Sequence, residues 1–219
     1  QSTVKAIREN NILKMYVDPT VLQYMTRSEF ANDVTVNETI EATVAFIDIC
    51  GFTTLAENEA PDVAVKLLNK YFDIIVKEIT NFGGYVDKFM GDAVMAVFKG
   101  EFHADKTVEA SLAVIRQISS IHEDLQASAS YRPSVSIGIN SGEMVSGNIG
   151  SVSLKRLDYT VIGDVVNTAQ RIQAHGSPGE ILVGENTFEL IKQAFVCQRK
   201  DDAVVKNKTK PIQIYQVVE

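Results

Sequence analysis

The 219-residue chain has only two cysteines and three histidines, and each scarcity removes a class of protein. Cys50 and Cys197 are too few and too far apart for a zinc cluster or a disulfide framework, so reduced thiols in a cytoplasmic setting are the simplest expectation. His103, His122 and His175 are scattered without metal-ligand spacing. No apolar run reaches the roughly 18–20 residues of a membrane span or has the layout of a signal peptide, so no membrane contact is expected of this segment. Positive charge is also in deficit. The 21 Lys+Arg against 28 Asp+Glu leave a net charge of −7, which argues against a broad electrostatic grip on nucleic acid or anionic lipid. The basic cluster from Arg199 to Lys210 is broken by Asp201-Asp202 and lacks interleaved aromatics, so it does not read as a nucleic-acid site. An anionic ligand would have to be held by local cations or metal ions.

What is present is ordinary for a soluble, folded protein: 45% hydrophobic and 22% charged residues in a length that suits one domain. Residues 1–40, with Asp18-Pro19 inside and a polar run from Ser28 to Asn37, carry few strand signals. They read as an N-terminal arm or linker from an upstream regulatory region, which leaves residues 41–219 as the functional domain.

That domain opens with Ala42-Thr43-Val44-Ala45-Phe46-Ile47, an apolar, β-rich run of the kind buried on both faces of a sheet, ending at Asp48. From Pro61 to Asn81, Ala64, Leu67, Leu68, Tyr71, Ile75 and Ile79 form one helical stripe, with Pro61 suited to the first turn. Gly83-Gly84 stops the helix. Tyr85-Val86 and Ala93 to Phe98 then make a β-hairpin around Asp87-Lys88-Phe89-Met90-Gly91-Asp92. A second helix presents Val108, Leu112, Ile115 and Ile118, and a strand follows from Ser134 to Ile139. The order βαββαβ predicts an α+β, ferredoxin-like core with its helices on one face of the sheet. C-terminal additions are expected as strands over Met144–Ile149 and Leu157–Ile162, a helix over Asp164–Ala174, a strand over Glu180–Val183 and a hairpin around Lys206–Val218.

Three segments carry chemistry. Asp48 closes a strand and is followed by a turn into a helix, where backbone N–H groups favour anions; an N-cap or turn role is the plain alternative. Asp92 lies at the hairpin tip, which neighbours the end of the first strand in such a sheet, although a Gly-Asp turn alone would also place an Asp there. Two converging carboxylates suit Mg²⁺ carrying a nucleoside triphosphate. In the helix after Gly163, Val165, Ala169 and Ile172 face the core, while Asn167 and Arg171 share the opposite stripe and point away from their own domain. Such a pair is either simply solvated or free to orient a ribose and neutralise a reacting phosphoryl group.

Phe46-Ile47-Asp48-Ile49-Cys50-Gly51-Phe52-Thr53, Asp87-Lys88-Phe89-Met90-Gly91-Asp92 and Tyr159-Thr160-Val161-Ile162-Gly163-Asp164-Val165-Val166-Asn167-Thr168-Ala169-Gln170-Arg171 resemble the three signatures of the class III adenylate and guanylate cyclases. The resemblance runs from Glu41 to Val218 and is similar in type to cyanobacterial and soluble catalytic domains. It implies two Mg²⁺ (or Mn²⁺) per active site, held by Asp48 and Asp92 with help from the Ile49 carbonyl. It also implies phosphate contacts from Cys50, Gly51, Phe52 and Thr53, ribose orientation by Asn167 and transition-state stabilisation by Arg171. A triphosphate-pairing lysine matches Lys206, but the family's Lys-Gly-Lys reads Lys206-Asn207-Lys208 here, which leaves Lys206 and Lys208 both open.

Lys88 and Thr160 match the family's purine readers. An ammonium only donates, so Lys88 suits the acceptor N1 of adenine and not the N1–H of guanine. Guanylate cyclases resemble this chain but place Glu at that position. Many adenylate cyclases have Asp at the other; here Asp158 is two residues away, but Thr160 keeps the spacing to Asn167 and resembles the bicarbonate-responsive subgroup. The resemblance therefore implies an adenylate cyclase making 3′,5′-cyclic AMP and pyrophosphate at sites shared across a head-to-tail homodimer. A guanylate cyclase and a catalytically silent, nucleotide-binding regulatory module are the alternatives; silent modules typically lose a metal Asp or the Asn/Arg pair.

Overall fold

The computed structural model describes residues 37–121, 134–151, 156–200 and 211–218. Its strands are β1 Glu38–Ile49, β2 Tyr85–Met90, β3 Ala93–Lys99, β4 Val135–Ser151, β5 Arg156–Ile162, β6 Ile181–Gly184, β7 Cys197–Arg199 and β8 Ile214–Val217. Its helices are α1 Phe52–Asn58, α2 Pro61–Asn81, α3 His103–Ser120, α4 Asp164–Gln173 and α5 Glu185–Ile191. The sheet order is β2-β3-β1-β4-β6-β8-β7, with β5 paired to β4. Its first four positions are the ferredoxin-like core; the rest extends from the β4 edge. Two compact units are present. Of the described residues, one holds those within Ile40–Met144 and from Ile162 onward, and the other holds those within Val145–Val161 and before Ile40.

Several boundaries differ from the sequence expectation, each for a physical reason. β1 starts at Glu38, ahead of Glu41, because exposed Glu38 and Thr39 extend the strand without an apolar signal. The strands expected at Ser134–Ile139 and Met144–Ile149 are one strand, β4. Asn140-Ser141-Gly142 reads as a turn, yet Asn140 Nδ2 donates to the Val165 carbonyl at 3.2 Å, and the buried Ser141 hydroxyl bonds Thr43 at 2.7 Å and Thr187 at 2.9 Å. Satisfied small polar residues can stay inside a strand. The terminal hairpin pairs β8 with β7, in register Cys197↔Val217, so its first strand precedes Lys206.

Alternation along the strands sorts the large unit into two faces. Ala45, Ile47, Ile49, Val94, Ala96, Phe98, Ile137, Ile139, Ile181 and Val183 point to one face and join a single cluster with α2 and α3. In α2 the buried residues are Ala64, Leu67, Tyr71, Ile75 and Ile79, as its stripe foretold, with Leu68 half-buried. In α3 the stripe is displaced. Ala104, Thr107, Val108, Ser111, Val114 and Ile118 are buried, whereas Leu112 and Ile115 sit half-buried at its margin, because small residues bring this helix close to the sheet. The second face carries Val44, Phe46, Met95 and Val97, also buried. On the same side of the β6 pleat, Leu182 packs with Ile172 of α4 and Ile214 of β8. Helix α4 therefore lies across the sheet from α2 and α3, and the one-face arrangement holds only for the core helices.

A buried hydroxyl chain crosses this fold. His103 Nδ1 meets Thr43 Oγ1 at 2.6 Å, Thr43 meets Ser141, and Ser141 meets Thr187. Burial pushes the His103 imidazolium below its usual pKa; Glu41 and Asp105 partly offset this, and Lys106 adds to it. The folded state then binds fewer protons than the unfolded chain, whose His titrates near about 6.5. Stability from this group is complete above that pH and is lost as pH falls through the depressed folded value. Thermal unfolding between pH 5 and 7.5 should show a smaller fall in midpoint toward acid for His103→Gln than for the parent. Parallel curves would remove His103 from the acid sensitivity.

Candidate active site

The site is built where β1 ends beside the β2–β3 turn. Antiparallel pairing sets Asp48 opposite Ala93, so Asp92 is drawn against the end of β1, where the Ile49 N–H donates to the Asp92 carbonyl at 3.3 Å. Ile47 and Ile49 point into the helix-covered core; Asp48, one residue out of phase, points to the opposite face. Burial raises the Asp48 carboxyl above the usual carboxylate range, and the neighbouring Asp92 charge raises it further. Two neighbouring carboxylates are a donor set of the kind that suits a hard cation. Among the described residues there is no group of three or more His, Cys, Asp or Glu side chains suited to a metal, so this pair would need further oxygen ligands from substrate or solvent.

After Asp48 the chain turns through Cys50 and Gly51. Gly51 has φ 73°, in the left-handed region, which lets α1 start at Phe52 directly beyond the strand. The N–H groups of its first turn have no intrahelical carbonyl to bond. Of the four residues expected to meet phosphate, Cys50 is already committed: its N–H donates to the Ser134 carbonyl at 2.9 Å. Its half-buried thiol is pushed above its usual pKa by burial, while Ser136 opposes the shift and Asp48 adds to it, as suits a packed, protonated cysteine. Phe52 is buried and anchors the turn; Thr53 is exposed, and its hydroxyl donates to Asp92 Oδ2 at 3.4 Å.

Lys88 pairs with Met95 across β2 and β3, and Met95 pairs with Phe46, so all three share the face of Asp48. The carboxylate of Asp87 lies 3.3 Å from the Lys88 ammonium. The sequence reading assigned Asp87 no role, although an Asp inside a short strand is itself a signal, since this residue is depleted there.

Helix α4 carries the remaining pair. Thr168, Ala169 and Ile172 are buried, Asn167 is exposed and Arg171 half-buried. Val165, expected in the core, is half-buried because it lines a cavity of about 230 Å³ with Asn140 and Asp164. Among the described residues no hydrogen bond or ion pair joins Asn167 or Arg171 to Asp48 or Asp92. Thr160 is buried in β5, within the smaller unit. Lys206 and Lys208 lie outside the described residues.

No helix among the described residues is long and apolar enough to cross a membrane. The chain is similar to the adenylate cyclase of Anabaena cylindrica, 33% identical over 196 residues, which cover 84% of this chain and 38% of that protein. It is also similar in structure to the adenylyl cyclase CyaB of P. aeruginosa (TM-score 0.79, 34% identity, 84% of this chain and 96% of that one). The guanylate cyclase domain of RhGC from Catenaria anguillulae, in complex with GTP, superposes with TM-score 0.73 at 28% identity, over 82% of this chain and 97% of that one. The chain spans about a quarter, 27%, of the length of mycobacterial relatives that it matches at 36% identity. The family described as adenylate and guanylate cyclase catalytic domain matches residues 34–219, and with a ferredoxin-like sheet that brings Asp48 and Asp92 together, the chain belongs to that class III cyclase family.

Proposed function

We propose that the chain is an adenylate cyclase catalytic domain, converting ATP into 3′,5′-cyclic AMP and pyrophosphate at two sites shared across a head-to-tail homodimer. The observation that carries this reading is the split of the charged groups. Asp48 and Asp92 converge at the end of β1, while Asn167 and Arg171 lie outward on α4 without contact to them. A second copy turned head to tail brings each pair to the other's complement.

The donor set fits hard divalent cations: Asp48 and Asp92 would hold two Mg²⁺ or Mn²⁺ ions, with the Ile49 carbonyl as a further oxygen. When bound, such ions acidify the attacking ribose hydroxyl and neutralise the departing pyrophosphate. The protein's own residues do the positioning. The turn from Gly51 to Thr53 offers N–H donors to the triphosphate, Asn167 orients the ribose, and the Arg171 guanidinium takes up charge developing on the α-phosphoryl oxygens. Lys206 or Lys208 would pair with the triphosphate. Residues ahead of β1 would link the domain to an upstream regulatory region in the cytoplasm, and Thr160 keeps a bicarbonate response open to test.

Base choice rests on Lys88, whose ammonium has only donors to offer the purine edge. The test is turnover of ATP and GTP with Mn²⁺ or Mg²⁺, with the product identified as the cyclic nucleotide. ATP is expected to be preferred by about tenfold or more in kcat/KM, roughly one hydrogen bond's worth. Lys88→Glu should narrow that preference by a similar factor. Equal turnover of the two nucleotides by the parent would turn the reading toward a guanylate cyclase, and no turnover of either toward a silent module.

A further inference from the structure

Strict alternation in β2 would place Lys88 with Val86 on the face covered by α2, and Asp87 with Phe89 on the other. The structure does the reverse for Lys88. Val86 pairs with Ala96 and packs into the helix-covered cluster, Phe89 pairs with Val94 and meets the Phe72 ring of α2 at 4.5 Å between centroids, and the register slips between Val86 and Lys88. Asp87 is the extra residue of a β-bulge. Because of it, two consecutive side chains, Asp87 and Lys88, lie on the same face as Asp48.

The two ends of this pair differ in exposure. The Asp87 side chain is 0% exposed and that of Lys88 is 39% exposed, with Oδ2 and Nζ 3.3 Å apart. A fixed, buried carboxylate beside a half-exposed ammonium restrains a long side chain that would otherwise sample many rotamers, while leaving other N–H donors of the ammonium for a ligand. We infer that Asp87 is a positioning and specificity-determining residue, which with its bulge aims the Lys88 ammonium at the acceptor nitrogen of the purine ring. This rests on the reading of Lys88 as the base-contacting residue.

The experiment compares ATP with 1-deaza-ATP, in which the ring nitrogen N1 is replaced by C–H. Both substrates are assayed on the same preparation of the parent, Asp87→Asn, Asp87→Ser, Lys88→Met and the Asp87→Asn/Lys88→Met double variant. The ratio of the two kcat/KM values cancels the amount of folded enzyme, so it remains readable for a partly destabilised variant. The parent should prefer ATP about tenfold, the worth of one hydrogen bond. Both Asp87 variants should lose most of that ratio through a higher KM for ATP at nearly unchanged kcat, and the double variant should match Lys88→Met. If Lys88→Met abolishes the preference while both Asp87 variants keep it, the role of Asp87 is overturned and that of Lys88 stands. If Lys88→Met keeps the preference, the reading of Lys88 itself falls.

Discussion

Asp48→Ala and Arg171→Ala, each inactive alone, are expected to recover turnover when mixed. On the roles proposed for them, with Asp48 holding a metal ion and Arg171 facing the reacting phosphoryl group, removing either should cost about 10²–10³ in kcat. The two residues belong to different faces of the proposed dimer, so each damages the shared sites from one side. In a mixed dimer one site collects both substitutions and the other collects none. Random exchange makes about half of all dimers mixed, each with one intact site of two, so recovery should approach about a quarter of parental activity. The readout is cyclic nucleotide formed against mixing ratio, with exchange followed independently by two fluorescent labels. Full exchange without recovery would sink the shared site and would require both pairs to act within one chain. The expectation depends on α4 presenting Arg171 outward while Thr168, Ala169 and Ile172 hold it to the sheet.

The second large effect is expected at Gly138, far from any motif residue. A Cβ there would fall 2.2 Å from the Gln173 backbone nitrogen and 2.4 Å from its Cα. These are backbone atoms near the end of α4 and cannot swing aside, so Gly138→Val must push the helix off β4. That displacement would break the 2.8 Å hydrogen bond from Gln173 Nε2 to Ser136 Oγ and loosen the packing of Ile172 on Leu182 and Ile214. The cost should be about 3 kcal/mol, at the upper end for overpacking, or roughly 6–12 °C in unfolding midpoint for a chain of this size. Activity should fall further than stability, by about 10² at a temperature where the variant is still folded, because a shift of about 1 Å misplaces Asn167 and Arg171. Calorimetry together with turnover at 20 °C checks both parts. A midpoint within 2 °C of the parent would mean that α4 can yield where the geometry says it cannot.

Much of the candidate site was legible because its residues sit in contiguous segments whose local structure is strongly signalled. The apolar run ahead of Asp48 is buried as expected. The α2 stripe matches its burial nearly residue for residue, since a long helix against a sheet has one dominant period. Elements with mixed polarity were less legible. The continuity of β4 depends on Asn140 and Ser141 finding partners on α4, β1 and α5, none of which is local in sequence. Helix α5 is seven residues long and has only Thr187 and Ile191 buried, too few for a periodic signal. The bulge at Asp87 was hidden for a related reason: a slip of one residue is a relation between two strands, not a property of either.

The βαββαβ order, the positions of Asp48, Asp92, Asn167 and Arg171 at the ends and faces of their elements, and a net charge of −7 that argues against a broad cationic surface are all readable from the sequence alone. These follow from period, turn chemistry and charge count, all of which act over a few residues. Tertiary structure decided which groups meet. Strand pairing joined Asp48 to Asp92, in a place where burial, and then the Asp92 charge, raise the Asp48 carboxyl. The close approach allowed at Gly138 set α4 on the sheet face opposite α2 and α3, and the slip at Asp87 turned Lys88 onto the face of Asp48. Each of these outcomes is a contact between segments remote in the chain, where packing and register override local preference.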